Sequence, residues 1–236
     1  MNEKRVLSFT GRMSRGEAAA ALAYLPLHVF LLPMGLSVLM LFASLPLSNA
    51  GFNLLYYGVG TAYMLLFLRK FLRREFDPLC DRPLNCFVEI LICYGIMLAL
   101  NMLVSGLLSL VATDNPNNAA IMDMADRDTG KVAAMAVFLA PLVEEPMFRG
   151  SVFGLIRRKS RLLAYAVSML LFSLYHVWAY ALSDPGSWIY IVQYLPASYV
   201  LCRCYERTDS LWGSIFLHMM INGISLAALS LLEGML

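Results

Sequence analysis

The chain has 236 residues, 60% of them hydrophobic and 14% charged, with a formal net charge of +2. Soluble domains run near half apolar and a quarter charged, which excludes a soluble globule, and a disordered chain needs the opposite balance of low hydrophobicity and high net charge. A charge this mild gives no ground for a nucleic-acid partner, and at about 20 apolar residues per crossing the composition predicts an all-α, polytopic transmembrane bundle of about seven spans.

In chain order, the first 17 residues hold Lys4, Arg5, Arg12, Arg15 and two glutamates. No short apolar core with a cleavage-type site follows, so the first apolar stretch reads as a retained span. That stretch covers 20–45, is interrupted by Pro26 and Pro33, and carries His28, read as a hydrogen-bonded packing residue. A second span is predicted over 51–68, followed by five bases, Arg69, Lys70, Arg73, Arg74 and Arg82. The third, over 87–112, has Glu89 near one end, where it can snorkel or pair with a loop arginine. The next loop mixes Asp114, Asp123, Asp126 and Asp128 with Arg127 and Lys131. The fourth span, 132–156, contains Glu144 and Glu145 between Pro141 and Pro146, then Arg149, and is followed by Arg157, Arg158, Lys159 and Arg161. The fifth (162–182) holds Phe172 and His176; the sixth (187–202) leads to Arg203 and Arg207; the seventh (210–232) holds His218 and Asn222.

Alternate loops thus collect 15 of the 18 bases, two lie in the opposite loops, and Arg149 sits inside a span. Positive charge marks the cytoplasmic side, so the N-terminus is predicted to be cytoplasmic and the C-terminus outside. Trp178 and Trp188 fall at outer span ends and Trp212 at a cytoplasmic one, where indole rings anchor at the interface. The five cysteines avoid the oxidising side, which argues against disulfides. The spacing of Cys80, Cys86, Cys202 and Cys204 matches no standard zinc pattern.

A charge inside a span is costly and marks a functional site by default. Glu144 lies 13 residues from both Lys131 and Arg157, about 20 Å from each along a helix, at the bilayer midplane. Arg149 stands one turn from Glu145 and can pair with it, leaving Glu144 for general-base work. The two prolines free carbonyls that are tolerated at this depth only inside protein or beside a wet cavity. The bland alternative is a charge cluster that merely locks helices together. Phe172/His176 and His218/Asn222 are each spaced i, i+4 and so share a helix face. Two imidazoles with a carboxylate can activate water directly or hold a metal that does so, and an asparagine amide suits an oxyanion. The parts for hydrolysing an acyl bond come from three separate spans.

The stretch Glu144-Glu145-Pro-Met-Phe-Arg149 resembles the EExxxR motif of the CPBP family of intramembrane proteases. Phe172-xxx-His176 and His218-xxx-Asn222 match its FxxxH and HxxxN motifs, and the Ser210-Leu-Trp-Gly-Ser-Ile lead-in is typical of the region. The family includes type II CAAX prenyl endopeptidases and bacterial relatives linked to bacteriocin processing and immunity. The resemblance spans roughly 131–225. It implies a catalytic core over 131–236 and a tail with three variable spans over 1–130. By the same resemblance Glu144 activates water with His176 assisting, His218 and Asn222 stabilise the oxyanion, and Glu145 with Arg149 supports the site. If a metal such as zinc is bound, Glu144, His176 and His218 would hold it. The chain lacks HExxH, so the metal-free route is the expectation. The expected function is an intramembrane endopeptidase acting on leader peptides, membrane-anchored signalling peptides or short transmembrane proteins, in contact with membrane lipid. Two other classes compete: a non-proteolytic scaffold or bacteriocin-immunity partner that keeps the motif as structure, and a proton-coupled transporter using midplane carboxylates as a relay. Repeated halves, expected of many transporters, are not visible.

Overall fold

The computed structural model describes residues 9–112 and 115–233, without the side chains of 229–233. Lys4, Arg5 and Asp114, which entered the charge count, lie outside the described residues. Among those described there is no strand. Helix α1 (Arg15–Pro26) opens on a capping box, in which Ser14 and Glu17 satisfy each other's backbone N–H groups. It continues through a π-helical turn, Leu27–Leu31, into α2 (Leu32–Ala43). Helix α3 (Asn49–Phe67), capped by Ser48, turns by 83° into α4 (Arg69–Asp81). Helix α5 (Pro83–Leu108) follows, then α6 (Pro116–Ala133), which breaks at Asp128. The Asp128 side chain accepts the Lys131 N–H and caps the restarted helix. A π-helical turn, Ala134–Leu139, leads into α7 (Ala140–Glu145). A third one, Pro146–Phe153, leads into α8 (Gly154–Arg157). Helix α9 (Arg161–Ser183), a 3-10 turn (Pro185–Tyr190), α10 (Ile191–Thr208) and α11 (Leu211–Glu233) complete the bundle.

Two of the π-helical turns have one cause. Leu32 N–H reaches back five residues to Leu27, so the next carbonyl, His28, would need the N–H of Pro33, which has none. Likewise Ala140 N–H bonds Met135, and the next carbonyl, Ala136, would need Pro141. Proline removes the donor and its ring crowds the preceding turn, which widens to relieve the clash. Each orphaned carbonyl is met by a side chain from another helix. Tyr56 Oη donates to His28 O at 2.8 Å, and Asn222 Nδ2 donates to Ala136 O at 2.8 Å.

The molecule is apolar outside as well as inside. Leu41, Phe42, Met102 and Leu110 are each more than three-quarters exposed, as lipid-facing residues would be. One core cluster runs from Met13 to Ile221, so the first three predicted spans pack into the same core as the last four. By length and composition four helices can cross a membrane: Arg15–Ala43, Pro83–Leu108, Arg161–Ser183 and Leu211–Ala228. The bent pair α3–α4 makes up to five. All seven predicted stretches are helical, but the fourth carries Glu144, Glu145 and Arg149, and α10 carries Arg203, Glu206 and Arg207. Of these groups Glu144, Glu145, Arg149 and Glu206 are buried inside the protein, whereas Arg207 is exposed.

The basic clusters meet at one end of the bundle. Arg157 and Arg161 both pair with Glu206, and Glu89 pairs with Arg203 and Arg207, as its position near a span end led us to expect. Arg158 Nη2 donates to the carbonyls of Gly11 and Met13, drawing the N-terminal segment across this end. Arg12 Nη2 pairs with Asp209 at 2.7 Å. Glu75, on the charge-rich α4 that lies off the span axis, is fully buried here. Its Oε2 accepts the Leu211 N–H at 2.8 Å, while Oε1 is 3.8 Å from Arg12 Nη1 and has no hydrogen bond. Burial pushes the Glu75 carboxyl up to about 7, against the lowering pull of Leu211 N–H and Arg12. Trp212, expected as an interface anchor, donates its indole N–H to Leu72 O at 2.8 Å. All five cysteines are free.

Candidate active site

Helix α7 and the π-helical turn after it carry both glutamates and the arginine. Glu144 is 2% exposed, and Glu145 and Arg149 are 0% exposed. Such a charge set is tolerable only if each group finds partners. Glu145 Oε1 accepts from Arg149 Nη1 at 3.1 Å and from His218 Nδ1 at 2.8 Å, and Oε2 accepts from Ser214 Oγ. Arg149 also donates to Ser198 Oγ at 3.1 Å, and its guanidinium lies 4.1 Å above the Phe172 ring. The expected pairing of Glu145 with Arg149 is therefore present, and Glu145 does a second thing. By accepting from His218 Nδ1–H it orients that imidazole and directs Nε2 away from itself.

His218 Nε2 points toward Glu144, 3.9 Å from its Oε2. That oxygen is buried and has no hydrogen-bond partner among the described residues. The other, Oε1, accepts from Tyr57 Oη at 2.9 Å. The approach of α3 depends on Gly60, one turn beyond Tyr57. A Cβ there would meet Val143 Cγ2 at 2.9 Å and Tyr24 Oη at 2.8 Å. Gly150 does the same on another side, where a Cβ would fall 2.9 Å from Met13 and 3.1 Å from Phe71.

Phe172 explains why the second motif needs an aromatic ring. It contacts the Arg149 guanidinium, packs edge-on to His218 with centroids 5.9 Å apart, and leans on His176 at 4.5 Å. The Phe172 carbonyl can only accept, so His176 Nδ1 is the donor in their 2.8 Å contact and Nε2 is left as an acceptor. The His176 ring stacks on Tyr194 at 4.5 Å. Tyr194 Oη in turn accepts amide hydrogens from Asn115 and Asn117. Asn222, expected to face an oxyanion, spends one N–H on the Ala136 carbonyl that Pro141 orphans. Its second N–H is not committed by this bond.

The structure thus brings Glu144, Glu145, Arg149, Phe172 and His218 into direct contact. His176 joins through Phe172, and Asn222 lies one helical turn beyond His218. Among the described residues no three His, Cys, Asp or Glu side chains converge as a group able to hold a metal. Glu144, His176 and His218 do not form a ready ligand set, nor do Cys80, Cys86, Cys202 and Cys204. Sequence reasoning missed Tyr57, Ser198, Ser214 and Tyr175. Ser214 had a usable signal, since it stands one turn before His218 in the motif's lead-in; Tyr57 had none.

Residues 129–224 match the family model described as Type II CAAX prenyl endopeptidase Rce1-like. The UPF0177 protein YxdF of Lactococcus lactis subsp. lactis (strain IL1403) is 30% identical over 95 residues, covering 40% of this chain and 48% of that protein. The chain therefore aligns with about half the length of this relative. No solved structure matches. The chain is an integral membrane protein, and its segment 129–224, which holds every motif residue described above, is similar to the type II CAAX prenyl endopeptidase Rce1-like family of membrane proteases.

Proposed function

We propose that the chain is an intramembrane endopeptidase that hydrolyses a peptide bond of a membrane-associated protein or peptide through water activated by Glu144. The observation that carries this reading is the unpartnered Glu144 Oε2, buried and facing His218 Nε2 at 3.9 Å. A carboxylate oxygen without a donor is a base ready for a proton, and Tyr57 on Oε1 fixes which oxygen that is. Glu144 takes a proton from water as the hydroxyl adds to the scissile carbonyl. His218, as an imidazolium whose Nδ1–H is held by Glu145, donates its Nε2–H to the developing oxyanion and keeps that proton through the cycle. Asn222 contributes its uncommitted N–H to the same oxyanion, and His176 Nε2 accepts from the attacking water. Glu144 then passes its proton to the leaving amine, which completes the exchange of water for the peptide bond. Arg149 pairs with Glu145, which leaves Glu144 as the carboxylate that exchanges the proton. No step needs a metal.

Residues 131–236 form the catalytic core in this reading, with 1–130 as scaffold on the cytoplasm-first topology. The test uses purified protein in lipid nanodiscs with a panel of membrane-anchored peptides, prenylated and unprenylated. Wild type is expected to cleave at least one, and Glu144→Gln to lose about 1,000-fold or more in kcat. Chelator is expected to leave the rate unchanged. Cleavage that survives Glu144→Gln, or no cleavage by wild type while Glu144→Gln still complements a deletion phenotype, would overturn the protease reading in favour of a scaffold.

A further inference from the structure

A string of hydroxyl and imidazole groups leads away from Glu144 into the part of the chain outside the family match. Tyr57 Oη is 2.8 Å from Tyr175 Oη, Tyr175 Oη is 3.1 Å from His28 Nε2, and His28 Nδ1 is 3.3 Å from Tyr24 Oη. Tyr24, His28 and Tyr57 come from α1, the π-helical turn after it, and α3; only Tyr175, on α9, lies within 129–224. His28 is fully buried and its ring is clamped by Tyr56, stacked at 4.3 Å. The Tyr56 hydroxyl bonds the His28 carbonyl that Pro33 leaves without a donor. The widened turn therefore holds His28 by both backbone and ring.

Counting protons gives the string a direction. Each phenol has one hydrogen. Tyr57 donates its own to Glu144 Oε1, so in its contact with Tyr175 it must accept. Tyr175 then has no hydrogen left for His28, so His28 Nε2 carries the proton and donates it. Neutral His28 consequently accepts at Nδ1, and Tyr24 is the donor there. Every bond points the same way, from Tyr24 through His28, Tyr175 and Tyr57 to the carboxylate. Aligned bonds in a low-dielectric interior polarise one another, so the far end reinforces the last bond.

We propose that Tyr24, His28, Tyr175 and Tyr57 form one directed hydrogen-bond chain ending on Glu144, in which Tyr57 and His28 are positioning residues that hold the carboxylate with Oε2 free. The other groups that interact with Glu144 are His218, Glu145 and Arg149 of the motif set, with Tyr56 and Tyr194 beyond them. The mechanistic value of the chain rests on the protease reading above, but its existence does not, and the test separates the two. The readout is the infrared carboxyl band of Glu144 in the full-length protein, identified as the band lost in Glu144→Gln, recorded without substrate.

Tyr57→Phe is expected to shift that band, and His28→Leu to shift it less in the same direction. His28→Gln, which keeps a donor and an acceptor, is expected to restore it. Tyr63→Phe, which removes a hydroxyl bonded only to Ala20 O at 3.1 Å, is expected to leave it in place. Where peptide cleavage is measurable, Tyr57→Phe is expected to lower kcat about tenfold with KM within about twofold, and His28→Leu to lower it about threefold. A band unmoved by Tyr57→Phe overturns the proposal. So does a band that moves with Tyr57→Phe but ignores His28→Leu, since nothing beyond Tyr57 then reaches Glu144. Shifted bands in a protein that cleaves no peptide sustain the chain and count against the protease reading alone.

Discussion

Two turns of this molecule share a backbone defect and differ in everything attached to it. Before Pro33 and before Pro141 the helix widens, one carbonyl loses its donor, and a side chain from a distant helix fills the gap. Before Pro33 the filler is Tyr56, and the turn carries His28 among tyrosines. Before Pro141 the filler is Asn222, and the next turn carries Glu144 and Glu145. The widened turn alone therefore makes no active site. It sets a register and a fixed point, and the residues that follow decide whether packing or chemistry results.

Destabilisation should break the comparison most sharply at the charged turn. Arg149→Leu leaves Glu145 buried without its ion pair and is expected to cost about 3–5 kcal/mol. A thermal-unfolding midpoint in detergent, compared with that of His28→Leu at the uncharged turn, measures the difference; equal losses would mean that charge is not what separates them. Glu75 extends the contrast to a buried carboxyl with one empty oxygen. Its folded value of about 7 lies above its ordinary value of about 4.5, so the folded state holds the proton more tightly. The stability it contributes is fully present below pH 4.5 and is lost as pH rises toward and through 7, by about 3 kcal/mol across the window. Unfolding midpoints at pH 4.5, 6 and 7.5 should fall in that order, and Glu75→Gln should flatten the trend.

The capping bonds sharpen the shared half of the comparison. Asn222→Ala should cost about 1–3 kcal/mol by exposing the Ala136 carbonyl, and Pro141→Ala should supply the missing N–H and cancel most of that cost. A double-mutant cycle reads the coupling, and additive losses would show that the two residues do not share the carbonyl. The same cycle with Tyr56→Phe and Pro33→Ala should give the smallest effect, about 1 kcal/mol, because Tyr56 keeps its stacking on His28.

Much of the site was legible because its chemistry is local. Glu145 and Arg149 are one turn apart on one helix, so spacing alone pairs them. His218 and His176 announced themselves as polar groups in apolar helices. His28 had the same signature and was read as packing, which its burial bears out; its link to Glu144 was not readable. Tyr57 meets Glu144 across 87 positions, Tyr175 meets Tyr57 across 118, and His28 meets Tyr175 across 147. A tyrosine in an apolar helix is ordinary, so nothing marked these before the helices were packed. Asn222 shows the converse: its motif spacing was plain, yet the use of one amide hydrogen on Ala136 depends on how Pro141 widens the facing helix.

By itself the amino-acid sequence determined the membrane setting, the sorting of charge between loops and the motif residues. These follow from composition and from periodicity along single helices, where neighbours are set by a 3.6-residue turn. The tertiary structure alone decided which oxygen of Glu144 is free, which groups the ring nitrogens of His28 and His218 face, and which carbonyls the prolines leave for other helices to cap. Each of those is a contact between helices far apart in sequence, and no rule of local spacing sets which hydroxyl or amide arrives there.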